Sequence, residues 1–317
     1  MPPRGVFRLL WLGLTVIALA STASASDYGG TFLEAGMSGR SLGITGAFTA
    51  ATDDAAAAMW NPAALSRIRG AHLMAVTQPE SSDAVDRGVS GLAAAWNSRG
   101  GLGFGFAWIS AGVGELLARN GSGQILGDID NGQNALFFAL GLPLNDKLSV
   151  GFAVKILSED LDTPQLESSS ATGRGLDLGI DYQLNPQTRL AATVRNLAAR
   201  MSWSVERASQ QTSRSEDNVP VTATVGIAHT LWTGLSVAAD LASSSVGTDL
   251  DTRAEWRVSP LLSLRAGLDR LNDSLQTTTF GLTLKPMQIE TLQFHFAYLT
   301  DELDAGSTTA FGLSTSF

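Results

Sequence analysis

From Gly70 to the end of the chain, apolar residues recur at every second position, with small or polar residues between them. Leu148, Val150, Phe152, Val154 and Ile156 alternate with Ser149, Gly151, Ala153 and Lys155. The same rhythm sets Leu176, Leu178, Ile180, Tyr182 and Leu184 against Asp177, Gly179, Asp181 and Gln183, and Leu262, Leu264 and Leu268 against Ser263, Arg265, Gly267 and Asp269. Leu292, Phe294, Phe296 and Tyr298 repeat it. A period of two gives a β-strand one greasy face and one small or polar face. It predicts strands near 70–78, 87–97, 100–112, 133–144, 147–158, 173–184, 188–204, 219–232, 234–245, 250–258, 261–270, 275–285, 291–299 and 307–317, fourteen in all.

Such strands build soluble sandwiches as well as membrane barrels, so the connections matter. Asn145-Asp146, Asn185-Pro186-Gln187, Thr233-Gly234 and Ser259-Pro260 read as tight turns after even-numbered strands. The joins after odd-numbered strands, Val113 to Gly132, Glu159 to Thr172 and Val205 to Asn218, are long and polar. Short turns at one end and large loops at the other are the plan of an outer-membrane barrel, and an even strand count puts both termini in the periplasm. No segment of the predicted strand region approaches the roughly 18 consecutive apolar residues of a spanning helix, so a membrane protein here has to be a closed barrel. Trp96 and Trp232 fall near one set of strand ends, Trp108 and Trp203 near the other, as aromatic girdles would. The expected fold is all-β: a 14-stranded antiparallel transmembrane β-barrel, residues 70–317, with a small amino-terminal segment.

Composition agrees. Hydrophobic residues make 44% and charged residues 16%, and 33 glycines interrupt every candidate helix. The chain has no cysteine, which removes disulfides, thiolate nucleophiles and Cys-type zinc sites. Arg4 and Arg8, the apolar run Leu9 to Ala20 and Ala23-Ser24-Ala25 read as a signal peptide, residues 1–25, cleaved near Ala25. Without Arg4 and Arg8, 19 basic residues face 30 acidic ones, a formal charge of −11, which argues against a nucleic-acid partner. The last strand places Phe311, Leu313, Thr315 and a terminal Phe317 two residues apart, and this ending resembles the signal by which the barrel-assembly machinery recognises its clients.

Residues 26–69 do not alternate. Asp53 or Asp54 can cap a short alanine helix, and Asn61 followed by Pro62 suits the start of a second one. Gly39-Arg40-Ser41-Leu42-Gly43-Ile44-Thr45-Gly46-Ala47-Phe48, then Asp53-Asp54, then Trp60-Asn61-Pro62-Ala63-Ala64-Leu65, resembles the amino-terminal signature of PorV/PorQ-type proteins within the FadL-like outer-membrane superfamily. The resemblance implies a fourteen-stranded barrel whose amino-terminal segment is a hatch in the lumen. It marks Asn61, Pro62 and Ala63 as hatch residues, with Arg40, Asp53 and Asp54 in the same signature.

Candidate chemistry is sparse. His72, His229 and His295 lie far apart in sequence, and neither Gly-x-Ser-x-Gly nor His-Glu-x-x-His occurs, so an outer-membrane barrel enzyme is the remotest reading. Asp128-Ile129-Asp130-Asn131-Gly132 is similar to the start of a calcium loop but lacks its third ligand and its closing glutamate, and reads as an external loop. No cofactor or metal is expected. Asp177, Asp181, Arg195, Asp240, Arg253, Glu255, Arg257, Arg265 and Asp269 fall on the faces assigned to the lumen, and their mixed signs suit paired charges in a confined space. The resemblance implies two roles: passive FadL-like transport of small hydrophobic molecules such as fatty acids, or a PorV/PorQ-like part in type IX-type protein secretion or surface assembly. Expected partners are outer-membrane lipid, the assembly machinery, and either hydrophobic small molecules or secreted proteins.

Overall fold

The computed structural model describes Gly30, Leu33 and residues 47–81, 86–163, 167–207, 212–271, 276–287, 289, 291–301 and 307–317; residues 1–25, expected to be a signal peptide, and Arg40 lie outside them. Among the described residues one antiparallel sheet contains β1 (Ala71–Ser81), β2 (Asp86–Asn97), β3 (Gly103–Arg119), β4 (Ile125–Pro143), β5 (Leu148–Thr163), β6 (Glu167–Asn185), β7 (Thr188–Arg207), β8 (Thr212–Asn218), β9 (Thr222–Trp232), β10 (Leu235–Ser243), β11 (Thr248–Arg257), β12 (Leu262–Asp269), β13 (Thr277–Leu284), β14 (Leu292–Asp301) and β15 (Ser307–Ser316). The sheet closes on itself where β1 pairs with β15, His72 opposite Ser316. β8 and β9 share one place in the wall: β7 pairs with β9 through Thr188–Arg195 and with β8 through Arg200–Glu206. The barrel therefore has fourteen strand positions.

One expected strand, 219–232, is shortened at its start, because Val219-Pro220-Val221 interrupts the ladder between β8 and β9. Proline has no N–H to donate there. The facing stretch of β7 bends as well, with Asn196 and Ala198 in the left-handed region at φ 64° and 52°, and the β6–β7 register shifts nearby.

The long polar joins of the sequence reading are mostly strand. β3 to β7 run for 17, 19, 16, 19 and 20 residues, whereas β9 to β15 have 8 to 11. A tilted membrane strand needs only about 9–11 residues, so the β3–β8 side stands as a wall beyond the apolar zone. Connections at both ends are short, and the asymmetry lies in strand length. Asp128–Gly132, read as a loop, is part of extended β4. We call the end where β1 starts and β15 finishes the base, and the other end the rim.

The outward face carries an apolar belt that includes Leu92, Phe104, Phe138, Phe152, Ile156, Leu178, Ile227, Leu264, Phe280, Phe294 and Phe311, all exposed. So large an exposed greasy band is the surface of a protein solvated by hydrocarbon. Near the base, Trp96 stacks on Phe104 at 5.5 Å, and Trp232 and Trp256 are exposed. Trp203 is not a girdle residue. It lies opposite Ala171 on the inward face and packs against the buried cluster.

Candidate functional site: a plugged lumen

The chain from Ala47 to Arg69 lies inside the barrel near its base, with a four-residue helix α1 (Ala57–Trp60) and a 3-10 helix (Pro62–Arg67) packed against β2 to β6. Neither could persist alone, since isolated helices this short are unstable in water; the wall holds them. Asn61 connects the two. Its side chain accepts from Ala63 N at 3.1 Å, capping the 3-10 helix, and donates to the carbonyls of Thr49 at 2.9 Å and of Ile180, on β6, at 3.3 Å. Pro62 occupies the first turn, where a missing N–H is harmless. Ala56 N donates to Asp54 Oδ1 at 2.9 Å, so Asp54 caps the turn leading into α1.

Glycines make the seat. Gly103, Gly141, Gly151 and Gly179 lie directly opposite one another across β3, β4, β5 and β6. A Cβ at Gly141 would come within 2.6 Å of the Pro62 carbonyl oxygen, and one at Gly103, Gly151 or Gly179 would collide with Leu65, Ala63 or Asn61. The row is a trough into which the plug's backbone fits. Polar contacts close it: Ser66 Oγ lies 2.7 Å from Ser149 Oγ, Asn97 donates to the Leu65 carbonyl at 2.9 Å, and Arg67 pairs with Asp181 at 2.7 Å, with Arg189 3.8 Å away.

Across the lumen, Phe48 and Trp60 stack at 5.7 Å between two arginines, Arg195 of β7 lying 5.4 Å from the Trp60 ring and Arg253 of β11 4.4 Å from the Phe48 ring. The four side chains form a bar from one wall to the other. Beside it Thr49 N donates to Asp240 Oδ2 at 2.8 Å, over Gly226, where a Cβ would strike Asp240. At the base a cavity of about 190 Å³ separates the plug from β11 to β15 and β1, lined by Asp53, Asp54 and Ala55 on one side and by Glu255, Arg257, Lys285 and Ser314 among others on the opposite one.

The structure places the charges singled out in the sequence as follows. Asp181 meets Arg67, Arg195 covers Trp60, and Asp240 holds Thr49. Arg253 pairs with Glu255 at 2.8 Å, Arg265 lies 3.4 Å from His295 Nδ1, Arg257 edges the base cavity, and Asp269 sits at the rim end of β12, partly buried. Asp177 is buried with Lys155, 2.7 Å away. Lys155 also donates to Asn196 Oδ1 at 2.6 Å, while Asn196 N donates to Asp177 at 2.8 Å and its side-chain amide to the Pro220 carbonyl at 2.8 Å. This network clamps the bend in β7 to the interruption before β9. Sequence reasoning left out Lys155, Asn196, Arg67, Asn97 and the glycine row. Lys155 had a signal, an inward position in an alternating strand; the others depend on register and on the path of the plug. His229 bonds Thr188, and His295 bonds Thr283 and Ser314, so two of the three histidines are occupied in strand-to-strand contacts.

Rimward of the bar the inward face turns apolar: Leu299 on β14, Val76 on β1, Val89 on β2, Ile109 on β3, Phe137 on β4, Leu157 on β5, and Met201 and Trp203 on β7. Leu33 packs into the same cluster.

No protein-family model matches the chain, and no curated protein does. Solved structures do match in fold. The toluene transporter TbuX of Ralstonia pickettii aligns with a TM-score of 0.63 at 17% identity, over 90% of this chain and 100% of that one. The toluene transporter TodX of P. putida gives 0.63 at 15% identity, over 90% and 99%. A FadL homologue of Pseudomonas aeruginosa gives 0.64 at 12% identity, over 87% and 97%. The chain thus has the closed fourteen-position antiparallel barrel of FadL- and TodX-type proteins.

Proposed function

We propose that the protein is an outer-membrane channel through which small hydrophobic molecules pass passively, with the luminal segment as its hatch and both termini on the periplasmic side. The observation that carries this reading is the apolar character of the inward side chains rimward of the bar, where Ile109, Phe137, Leu157 and Met201 are buried in one cluster that lines the path once the segment covering it moves. A water-filled pore is lined by polar side chains; apolar inward side chains like these suit solutes that leave water readily. Two matched structures are described as toluene transporters, which supports the same class of solute. Passage is passive in this reading, since the sequence contains no Gly-x-x-x-x-Gly-Lys-Ser/Thr for nucleotide.

The test is uptake of radiolabelled toluene and oleate by cells with and without the gene, repeated with residues 26–60 deleted and with Pro62→Ala. The channel reading expects uptake to depend on the gene and to rise when that part of the plug is deleted. Uptake that ignores both changes, together with loss of secreted proteins from the medium, would replace it with the secretion role to which the PorV/PorQ resemblance points.

A further inference from the structure

Resting on the outer-membrane placement proposed above, with the rim outside, we infer that the outward face of β6 and β7 just above the apolar belt is a docking site for the phosphorylated glycolipid of the outer leaflet. Arg174 and Arg200 hold one of its phosphates, and the hydroxyl-bearing wall above them carries its sugars.

Position is the first argument. From base to rim the outward residues of β6 include Ile180, Leu178 and Leu176, opposite Val150, Phe152 and Val154 of β5, and the next is Arg174, opposite Ile156. The apolar column thus ends on a guanidinium, at the level where hydrocarbon gives way to headgroups. Arg200 of β7 lies directly opposite Arg174, and both are exposed. Side chains paired in this way stand about 5 Å apart at Cβ, and like charges there repel. An anion between the two guanidinium groups turns that repulsion into attraction, and phosphate matches their planar forks with paired hydrogen bonds. Glu216 approaches Arg200 only to 3.8 Å, with both side chains 66% exposed, and a pair so exposed contributes little.

The surface above makes the site fit a glycolipid. Beyond the belt the outward residues of β6 are Thr172 and Ser170, opposite Ser202 and Ser204 of β7, and Arg214 of β8 lies opposite Ser204. Short hydroxyls beside a further arginine suit the hydroxyls and acidic groups of a sugar core. A glycerophospholipid ends at its headgroup and makes no use of a wall standing above the membrane. Charge confines the site to these strands, since the outward face of β4 and β5 at that height holds Asp130, Asp160 and Asp162, which repel phosphate.

The test titrates the purified protein in detergent with rough lipopolysaccharide and reads the bound fraction by native mass spectrometry. Arg174→Gln with Arg200→Gln is expected to weaken binding by at least about tenfold. Arg119→Gln with Arg257→Gln removes the same charge elsewhere and is expected to leave binding within about twofold. Glycolipid stripped of phosphate by alkaline phosphatase should bind the unaltered protein as weakly as intact glycolipid binds the first variant. Heat-modifiable migration on gels establishes that each variant is folded. Equal binding by the first variant and the unaltered protein overturns the inference, as does an equal loss in both variants. Phosphatidylglycerol that competes as well as the glycolipid also overturns it, because the surface would then read charge alone. None of these readouts involves solute uptake, so a protein that takes up neither toluene nor oleate sinks the channel reading and leaves this site standing. Orientation is checked in whole cells by labelling Thr212→Cys, on exposed β8, with a membrane-impermeant maleimide. Labelling is expected; a folded barrel that escapes it has its rim in the periplasm, which overturns the site together with the orientation it rests on.

Discussion

Asn61 illustrates how one side chain can hold a functional segment. It caps the 3-10 helix, bridges back to Thr49 and reaches the β6 backbone at Ile180. Loss of an N-cap costs about 0.5–2 kcal/mol, and a buried hydrogen bond about 1 more. Asn61→Ala is therefore expected to speed hydrogen exchange of the plug amides by at least about tenfold while the strand amides keep their protection, as read by mass spectrometry. The Lys155–Asp177 pair behaves differently, because both groups are buried. Removing one partner of such a pair costs roughly 3–5 kcal/mol, whereas replacing both with apolar residues is often nearly neutral. Urea unfolding from lipid vesicles should show Lys155→Met far less stable than Lys155→Met with Asp177→Leu. Equal losses in the two would mean that the clamp on the β7 bend is not electrostatic.

At the scale of elements, strand positions were legible because lipid enforces alternation on one face of every strand. Strand ends were not. Beyond the apolar zone, β4 and β5 continue through Asp128, Asp130, Asp160 and Asp162 with polar residues on the outer face, so the greasy signal stops although the hydrogen-bonded ladder does not. Asp130 still pairs with Asp162, and Asn131 with Leu161. The break at Pro220 had a local signal, a proline within the expected strand, but its partner bend in β7 had none. The glycine row shows the same limit from the other direction: Gly141, Gly151 and Gly179 are each visible as small residues, but their alignment exists only once register is set. Gly151→Val places side-chain carbons where Ala63 N and the Pro62 carbonyl now sit. It should leave the barrel folded, as judged by its heat-modifiable migration on gels, while displacing the plug and raising toluene uptake. Unchanged uptake with a folded barrel would show that the trough does not seat the plug.

For the whole molecule, three surfaces define the account: a lipid-facing belt, an inner face that is apolar toward the rim, and a plug held between a glycine trough and Asp240. The belt and the inward placement of Asp177, Asp181, Arg253 and Arg265 follow from period-two patterning alone. Trp203 defeated that reading, because a tryptophan near a strand end fits a girdle as well as a lumen until parity with Ala171 is known. The resemblance over Gly39 to Leu65 pointed to a segment inside the barrel, and Trp60 to Leu65 do lie there, but nothing in those residues says which wall they meet.

The assignment of faces underlies every functional statement, and β5 tests it most directly. Single cysteines introduced from 148 to 163, spin-labelled and reconstituted in lipid, report accessibility to dissolved oxygen, which concentrates in hydrocarbon. The account predicts maxima at 150, 152, 154 and 156, minima at the intervening positions, and loss of the oxygen signal on the outer face beyond 158, where the strand has left the membrane. Maxima at 151, 153, 155 and 157, or no period of two, would contradict it.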